Sequence, residues 1–269
     1  MKLKTSHSVQ PDSKIRLAHI PTDKTGRYKS KQESIEDLER HRERLDALQE
    51  LLSASAQKSL LLVLQGMDTG GKDGTIRHIF SGVNPQGCQV TPFKVPTPLE
   101  LRHDFLWRAH RAAPAKGMIG IFNRSHYEDV LVVRVHKRIS DKEAHQRMRE
   151  IVGWEQMLAD NGTVILKFFL HISYEEQTRR LAARLKDPNK QWKISDSDFT
   201  ERKFWPDYQL AYQDMLSRTS RKHAPWFIIP SDNKWYRNVV ISEILVQTLE
   251  GMKLKYPKPT FNPAKAKLD

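Results

Sequence analysis

The stretch Leu60-Leu61-Leu62-Val63-Leu64-Gln65-Gly66-Met67-Asp68-Thr69-Gly70-Gly71-Lys72-Asp73-Gly74 constrains this chain more than any other. Its run of apolar residues reads as a strand buried on both faces, which a parallel sheet covered by helices on each side requires. Directly after it, Gly66, Gly70, Gly71 and Lys72 fall in the G-x-x-x-x-G-K frame of a phosphate-binding loop. Glycines let the backbone take positive φ and aim its N–H groups at an anion. A helix beginning near Lys72 adds the positive end of its dipole, and Lys72 an ammonium on a flexible stem. Glycine and lysine are common, so the frame alone is only moderately specific. The buried strand in front of it rules against the bland reading, a Gly-rich turn with a surface lysine. Asp73 stands where Ser or Thr normally places a hydroxyl on Mg²⁺. Metal binding is therefore expected to be arranged differently, with Asp68 inside the loop as the candidate ligand.

Strands and helices alternate along the rest of the chain. Residues 1–30 show no hydrophobic periodicity and read as an arm or extended cover. Ser34, with Asp37 three residues on, is the expected N-cap of a helix that lines up Ile35, Leu38, Leu45, Leu48, Leu51 and Leu52. Further strands are expected over 89–94, 118–122, 164–170 and 226–229, the last closed by Pro230. Helices are expected over 99–111 behind Pro98, over 141–160, 175–185 and 204–216, and over 234–253 with Asp232 as cap. The pattern predicts an α/β three-layer sandwich, a five-stranded parallel sheet flanked by helices with a helical lid over about 180–203. A single domain over 31–255 would be followed by a proline- and lysine-bearing tail over 256–269.

The 269 residues suffice for one large core and nothing forces a split. No run approaches the roughly 18 apolar residues of a membrane span, so no membrane partner is expected. The first 30 residues carry no apolar signal region. Cys88 is the only cysteine, which excludes an intrachain disulfide and points to a reducing cytoplasm. The net charge of +13, from 45 Lys+Arg against 32 Asp+Glu, favours a polyanionic partner. Nucleic acid, an anionic membrane or a phosphate polymer would each satisfy it, and plain solubility competes with all of them. One tryptophan among the basic residues of 99–111 is more often a core anchor than a base-stacking platform. No tandem basic and aromatic motif is visible, so no nucleic-acid partner is expected.

The third strand ends abruptly in Asn123-Arg124-Ser125-His126-Tyr127-Glu128-Asp129. Ligands of parallel α/β sheets gather at the carboxyl ends of strands, where this cluster lies. An acid at this place commonly helps to hold Mg²⁺. Here Asn123 occupies it, with Arg124 beside it. Arg180 and Arg184, four apart on a helix, share a face and are expected to clamp one phosphate. Asp187-Pro188-Asn189-Lys190-Gln191-Trp192-Lys193 follows as a basic, mobile segment, the composition of a lid over a phosphoryl donor.

Taken in order, the loop stretch, Phe93-Lys94-Val95-Pro96, Leu106-Trp107-Arg108 and the run from Gly120 through Asn123-Arg124-Ser125-His126-Tyr127-Glu128 to Leu131 form a specific series. With Trp205-Pro206-Asp207-Tyr208 and Ala224-Pro225-Trp226-Phe227, it makes residues 30–255 resemble the polyphosphate kinase 2 family. Those enzymes exchange phosphoryl groups between inorganic polyphosphate and nucleotides. An aspartate after the loop lysine is normal there, which settles Asp73. Asn123 departs from members with an acid at that place. The Asn-Arg-Ser-His-Tyr-Glu form resembles the class III subgroup, which accepts nucleoside mono- and diphosphates, with Glu128 at the discriminating position.

The resemblance implies a P-loop kinase-like fold and a reversible, in-line transfer that converts AMP and ADP to ADP and ATP. It implies Mg²⁺ or Mn²⁺ as cofactor, held by Asp68, which with Asn123 and Glu128 would also serve the nucleotide. Gly66, Thr69, Gly70, Gly71, Lys72 and Asp73 would hold the phosphoryl group. Arg124, Arg180 and Arg184 would grip the developing charge, arginine's fork suiting phosphate better than a point charge. Charge and place suggest Lys94, Arg108 and Lys193 for a polyphosphate track. The resemblance further implies a homo-oligomer, dimer or tetramer. An ATP-dependent nucleoside monophosphate kinase would share loop, arginines and fold. Asp73 and the basic surface count against it.

Overall fold

Alternate residues of the first strand point to opposite faces of a sheet, and both faces are filled. A computed structural model of the chain describes residues 6–261. Its strands are β1 (Ser59–Gln65), β2 (Cys88–Pro92), β3 (Ile119–Asn123), β4 (Thr163–His171) and β5 (Trp226–Pro230), all parallel, in the order β2-β3-β1-β4-β5. The helices are α1 (Ile35–Ser55), α2 (Lys72–Ile79), α3 (Trp107–Ala112), α4 (Val132–Val135), α5 (Asp141–Asp160), α6 (Tyr174–Lys186), α7 (Asp196–Thr200), α8 (Trp205–Thr219) and α9 (Lys234–Gly251). Leu61 and Val63 pack beneath α5 and α8 with Ile151, Leu158, Met215 and Leu216. Leu60, Leu62 and Leu64 pack on α1 and α9 with Leu45, Leu48, Leu52, Val239 and Leu245. Each fully buried leucine contributes about 1.5–3 kcal/mol over leaving it exposed, so this strand alone anchors both layers. The expected α/β three-layer sandwich, P-loop kinase-like, is the fold.

Several local expectations are corrected. Ser34 does not cap α1: its hydroxyl donates to the Lys31 carbonyl at 2.7 Å, closing a 3₁₀ turn in front of the helix. The expected helix over 99–111 is two pieces, a 3₁₀ turn at Glu100–Arg102 and α3. Asp104 divides them, its Oδ1 accepting the Leu106 N–H at 3.0 Å, a competing local bond of the kind short acids offer. Asp232 does not cap α9: its carboxylate accepts from the Thr22 hydroxyl at 2.7 Å and the Ser173 amide at 2.9 Å. The last helix ends at Gly251 rather than 253.

The arm is docked along much of its described length. Ser8 bridges antiparallel to Phe227, and Val9 donates to the Trp226 carbonyl at 2.8 Å, covering the free edge of β5. The expected tail lies mostly outside the described residues, as do the first five residues of the arm. Between α6 and α8, where the lid is expected, stand a 3₁₀ turn at Gln191–Lys193, α7 with a Ser195/Asp198 capping box, and a second 3₁₀ turn at Glu201–Phe204. Among the described residues no helix is long and apolar enough to cross a membrane.

Candidate active site

β1 lies between β3 and β4, so the chain leaves it toward either side of the sheet and a crevice opens at its carboxyl end. The phosphate loop occupies that point. At Gly66 an added Cβ would meet the Leu170 carbonyl oxygen at 2.8 Å. At Gly71, with φ +98°, it would fall 2.0 Å from Arg237 Nη1. Neither position admits a side chain.

Every carbonyl from Gly66 to Gly71 has a donor. Lys72 Nζ donates to Gly66 O at 2.7 Å and to Met67 O at 3.2 Å. Gln177 Nε2 donates to Asp68 O at 3.0 Å, and Arg180 Nη1 to Thr69 O at 2.9 Å. Arg237 Nη1 donates to Gly70 O at 3.2 Å, and the amide and hydroxyl of Thr75 to Gly71 O at 2.9 and 3.1 Å. Among the described residues the amides of Asp68, Thr69 and Gly71 donate to no group. Carbonyls tied down and amides left over give a concave anion site, which the N-terminus of α2 completes. Burial, reinforced by the Arg124 charge, pushes the Lys72 ammonium down to about 8, against the pull of Asp68, Glu128 and Asp73.

The turn after β3 faces this loop. Arg124 takes φ +61°, which turns its side chain out of the strand line, and its amide donates to Leu64 O at 3.1 Å. Its Nη2 donates to Asp68 Oδ1 at 2.5 Å, and its Nη1 lies 3.6 Å from Glu128 Oε2. Burial lifts the Glu128 carboxyl above the ordinary carboxylate range although Arg124 and Lys72 oppose it. Asn123 Nδ2 donates to Asp73 Oδ1 at 2.6 Å. Asp68, Lys72, Asp73, Asn123, Arg124 and Glu128 are thus brought together. Among the described residues no three His, Cys, Asp or Glu side chains form a ready cation cage. Mg²⁺ needs none, since one or two carboxylates with substrate phosphates and water suffice, and Asp68 with Asp73 offers that donor set.

Other expected residues lie elsewhere. Arg180 is buried behind the loop rather than clamping a phosphate with Arg184. Its Nε goes to Glu176 Oε1 at 2.6 Å, and its Nη2 to Ser231 O at 2.5 Å and Asp232 O at 3.2 Å. Arg184 is half-buried on the next turn and forms no ion pair among the described residues. Arg108 faces inward rather than along an open track. It pairs with Asp129 at 2.9 Å and donates to the Lys94 carbonyl at 2.9 Å, over the Phe93 ring. Lys94 is exposed, and Lys193 holds its ammonium 5.0 Å from the ring centroid of Trp192, which is 77% exposed.

Three features escaped the sequence reading. Gln177 and Arg237 reach the loop through backbone carbonyls, which carry no residue identity. Beneath the β3 turn, Lys167 Nζ donates to Glu155 Oε2 at 2.6 Å, to Tyr127 OH at 2.8 Å and to Thr219 O at 2.9 Å, with all these side chains buried. A lysine in the middle of an apolar strand was the available signal.

Known proteins match the chain over most of its length. A sequence profile described as "Polyphosphate kinase 2 (PPK2)" matches residues 28–257. The AMP/ADP-polyphosphate phosphotransferase of Meiothermus ruber is 50% identical over 254 residues, covering 94% of this chain and 95% of that protein. The ADP-polyphosphate phosphotransferase of Rhodopseudomonas palustris is 46% identical, covering 99% of this chain and 96% of its own. The crystal structure of polyphosphate kinase 2 from Arthrobacter aurescens TC1 superposes with a TM-score of 0.91 at 40% identity, over 96% of this chain and 95% of that one. Agreement of this extent in both sequence and backbone leaves one assignment: the chain belongs to the polyphosphate kinase 2 family.

Proposed function

We propose that the protein transfers phosphoryl groups reversibly between inorganic polyphosphate and nucleotides, taking AMP to ADP and ADP to ATP. One observation carries the reading: the loop with its free amides, Lys72 seated on the loop carbonyls and Arg124 paired with Asp68 lie together at the carboxyl edge of the sheet. Phosphoryl transfer asks mainly for alignment and charge neutralisation, which is what such a constellation supplies. The loop amides and Lys72 hold the phosphoryl group that moves. Arg124 offers its fork to the equatorial oxygens. Asp68 turns the attacking oxygen toward phosphorus, while Asn123, Asp73 and Glu128 position the nucleotide phosphates. Mg²⁺ or Mn²⁺, held by Asp68 and the substrate phosphates, would neutralise charge shared by donor and acceptor.

Arg180 takes a supporting role, and Arg184, Lys94 and Lys193 remain the cations open to polyphosphate. Residues 187–203 would close over the donor. We place the enzyme in the cytoplasm, in keeping with its single cysteine, and expect it to assemble as a dimer or tetramer. The two curated relatives differ in name over AMP, so acceptance of AMP is the finer part of the proposal, resting on Glu128. The test is chromatography of AMP or ADP incubated with polyphosphate and Mg²⁺, without ATP. ADP and ATP from AMP support the full reading, and ATP from ADP alone withdraws the AMP part. Turnover only when ATP is supplied would make the protein an ordinary nucleotide kinase, the reading the comparisons disfavour.

A further inference from the structure

Arg237 is 2% exposed, and among the described residues no carboxylate pairs with it. Its Nε and Nη2 both donate to Asn238 Oδ1, at 3.1 and 2.9 Å, which fixes the plane of the guanidinium. The remaining side faces the loop: Nη1 donates to Gly70 O, and the same atom fills the space where Gly71 would carry a Cβ. Burial lowers the Arg237 guanidinium to about 9, and Arg180, the charged neighbour acting on it, is another cation and adds to the lowering. A charge buried without a partner is costly to the fold. An apolar side chain could fill the space without that cost, and the place where the charge of Arg237 is useful is the loop it touches.

We propose that Arg237 is a positioning residue of the phosphate loop: it holds the Gly70 carbonyl inward so that the loop amides stay turned outward, and its unpaired charge is completed by the phosphate that the loop binds. The inference rests on the reading of the loop as the station of the transferred phosphoryl group. It separates Arg237 from a mere packing residue, because the charge then matters to phosphate and not only to stability.

The test uses two variants of the full chain, with tripolyphosphate as probe. Arg237→Met removes the charge and the bond to Gly70. Asn238→Asp is isosteric and supplies the carboxylate that Arg237 lacks, so it should preserve the fold while neutralising the charge. Arg237→Met is expected to weaken tripolyphosphate binding, read by calorimetry and by the ligand-induced rise in melting temperature, by tenfold to about a hundredfold, the scale of a displaced binding group. Asn238→Asp is expected to weaken it by about tenfold, a unit charge offsetting another at short range. The KM for the nucleotide should move less than about twofold in both, since the loop faces the donor. Tripolyphosphate binding unchanged in Asn238→Asp would overturn the proposal, whether or not Arg237→Met folds. A wild-type protein that binds tripolyphosphate yet turns over only with ATP would remove the polyphosphate reading and leave this comparison intact.

Discussion

Lys72 has its ammonium on two carbonyls of its own loop and a value lowered to about 8 by burial. An anion in the loop favours the charged form, so binding should lift that value again. The kcat/KM for polyphosphate, which reports the free enzyme, is therefore expected to fall as pH rises through about 8, while the fall in kcat lies at higher pH. Coincident limbs in the two profiles would mean that the lysine does not feel the substrate. Because the folded value lies below the unfolded one, the unfolded chain holds more protons between them. The unliganded protein should thus gain stability as pH rises from about 8 toward 10.5. Lys167 is lowered in the same direction, so the part belonging to Lys72 is the difference between wild type and Lys72→Ala in urea melts. That variant should remain folded and lose turnover by at least about a hundredfold, the scale of one charged transition-state contact. The sequence exposed Lys72 because spacing alone identifies it. Arg180 and Arg237 were misplaced or missed because what they bind is main-chain oxygen, and no residue code marks a carbonyl that needs a donor.

Elements were legible where period and burial agree, and failed where a short polar side chain chose a partner other than the expected helix. The four buried strands β1, β3, β4 and β5 are continuous apolar runs or nearly so, whereas the edge strand β2 is largely exposed. The helix across 99–111 was lost to Asp104, and two expected caps were lost to Ser34 and Asp232, whose oxygens had partners outside the helix. The same reasoning redefines Arg108. Sequence placed it on a substrate track by charge, whereas it ties α3 to the turn after β3 through Asp129, with both side chains largely buried. Arg108→Met should therefore destabilise the fold by about 3–5 kcal/mol, since it strands a buried carboxylate, and leave the KM for polyphosphate within about twofold. Unchanged melting with a raised KM would return Arg108 to the track. Across the sheet, Lys167→Met should cost a similar amount by stranding Glu155, whereas Lys167→Met combined with Glu155→Leu should recover much of it. Equal loss in the single and double variants would show that Tyr127 and the Thr219 carbonyl, not the ion pair, set the value of this network.

At the scale of the whole molecule, charge is the property that neither fold nor loop explains. A phosphate loop needs one lysine and a few amides, yet the chain carries a formal +13. A nucleotide presents one to three phosphates and sits within reach of the site's own groups. Polyphosphate presents a long row of charges, many of them beyond the loop, over a surface where Lys94 and Lys193 form no ion pair among the described residues. Contacts made at the exposed surface are screened as the Debye length falls from about 10 Å at 0.1 M salt to about 3 Å at 1 M, whereas those in the buried loop are screened much less. The KM for long polyphosphate should therefore rise with salt far more steeply than the KM for the nucleotide, by about tenfold against about twofold between 0.05 and 0.5 M. Tripolyphosphate, short enough to be held by the loop alone, should follow the nucleotide. If long and short donors respond to salt alike, the basic surface takes no part in holding substrate, and the net charge reflects solubility.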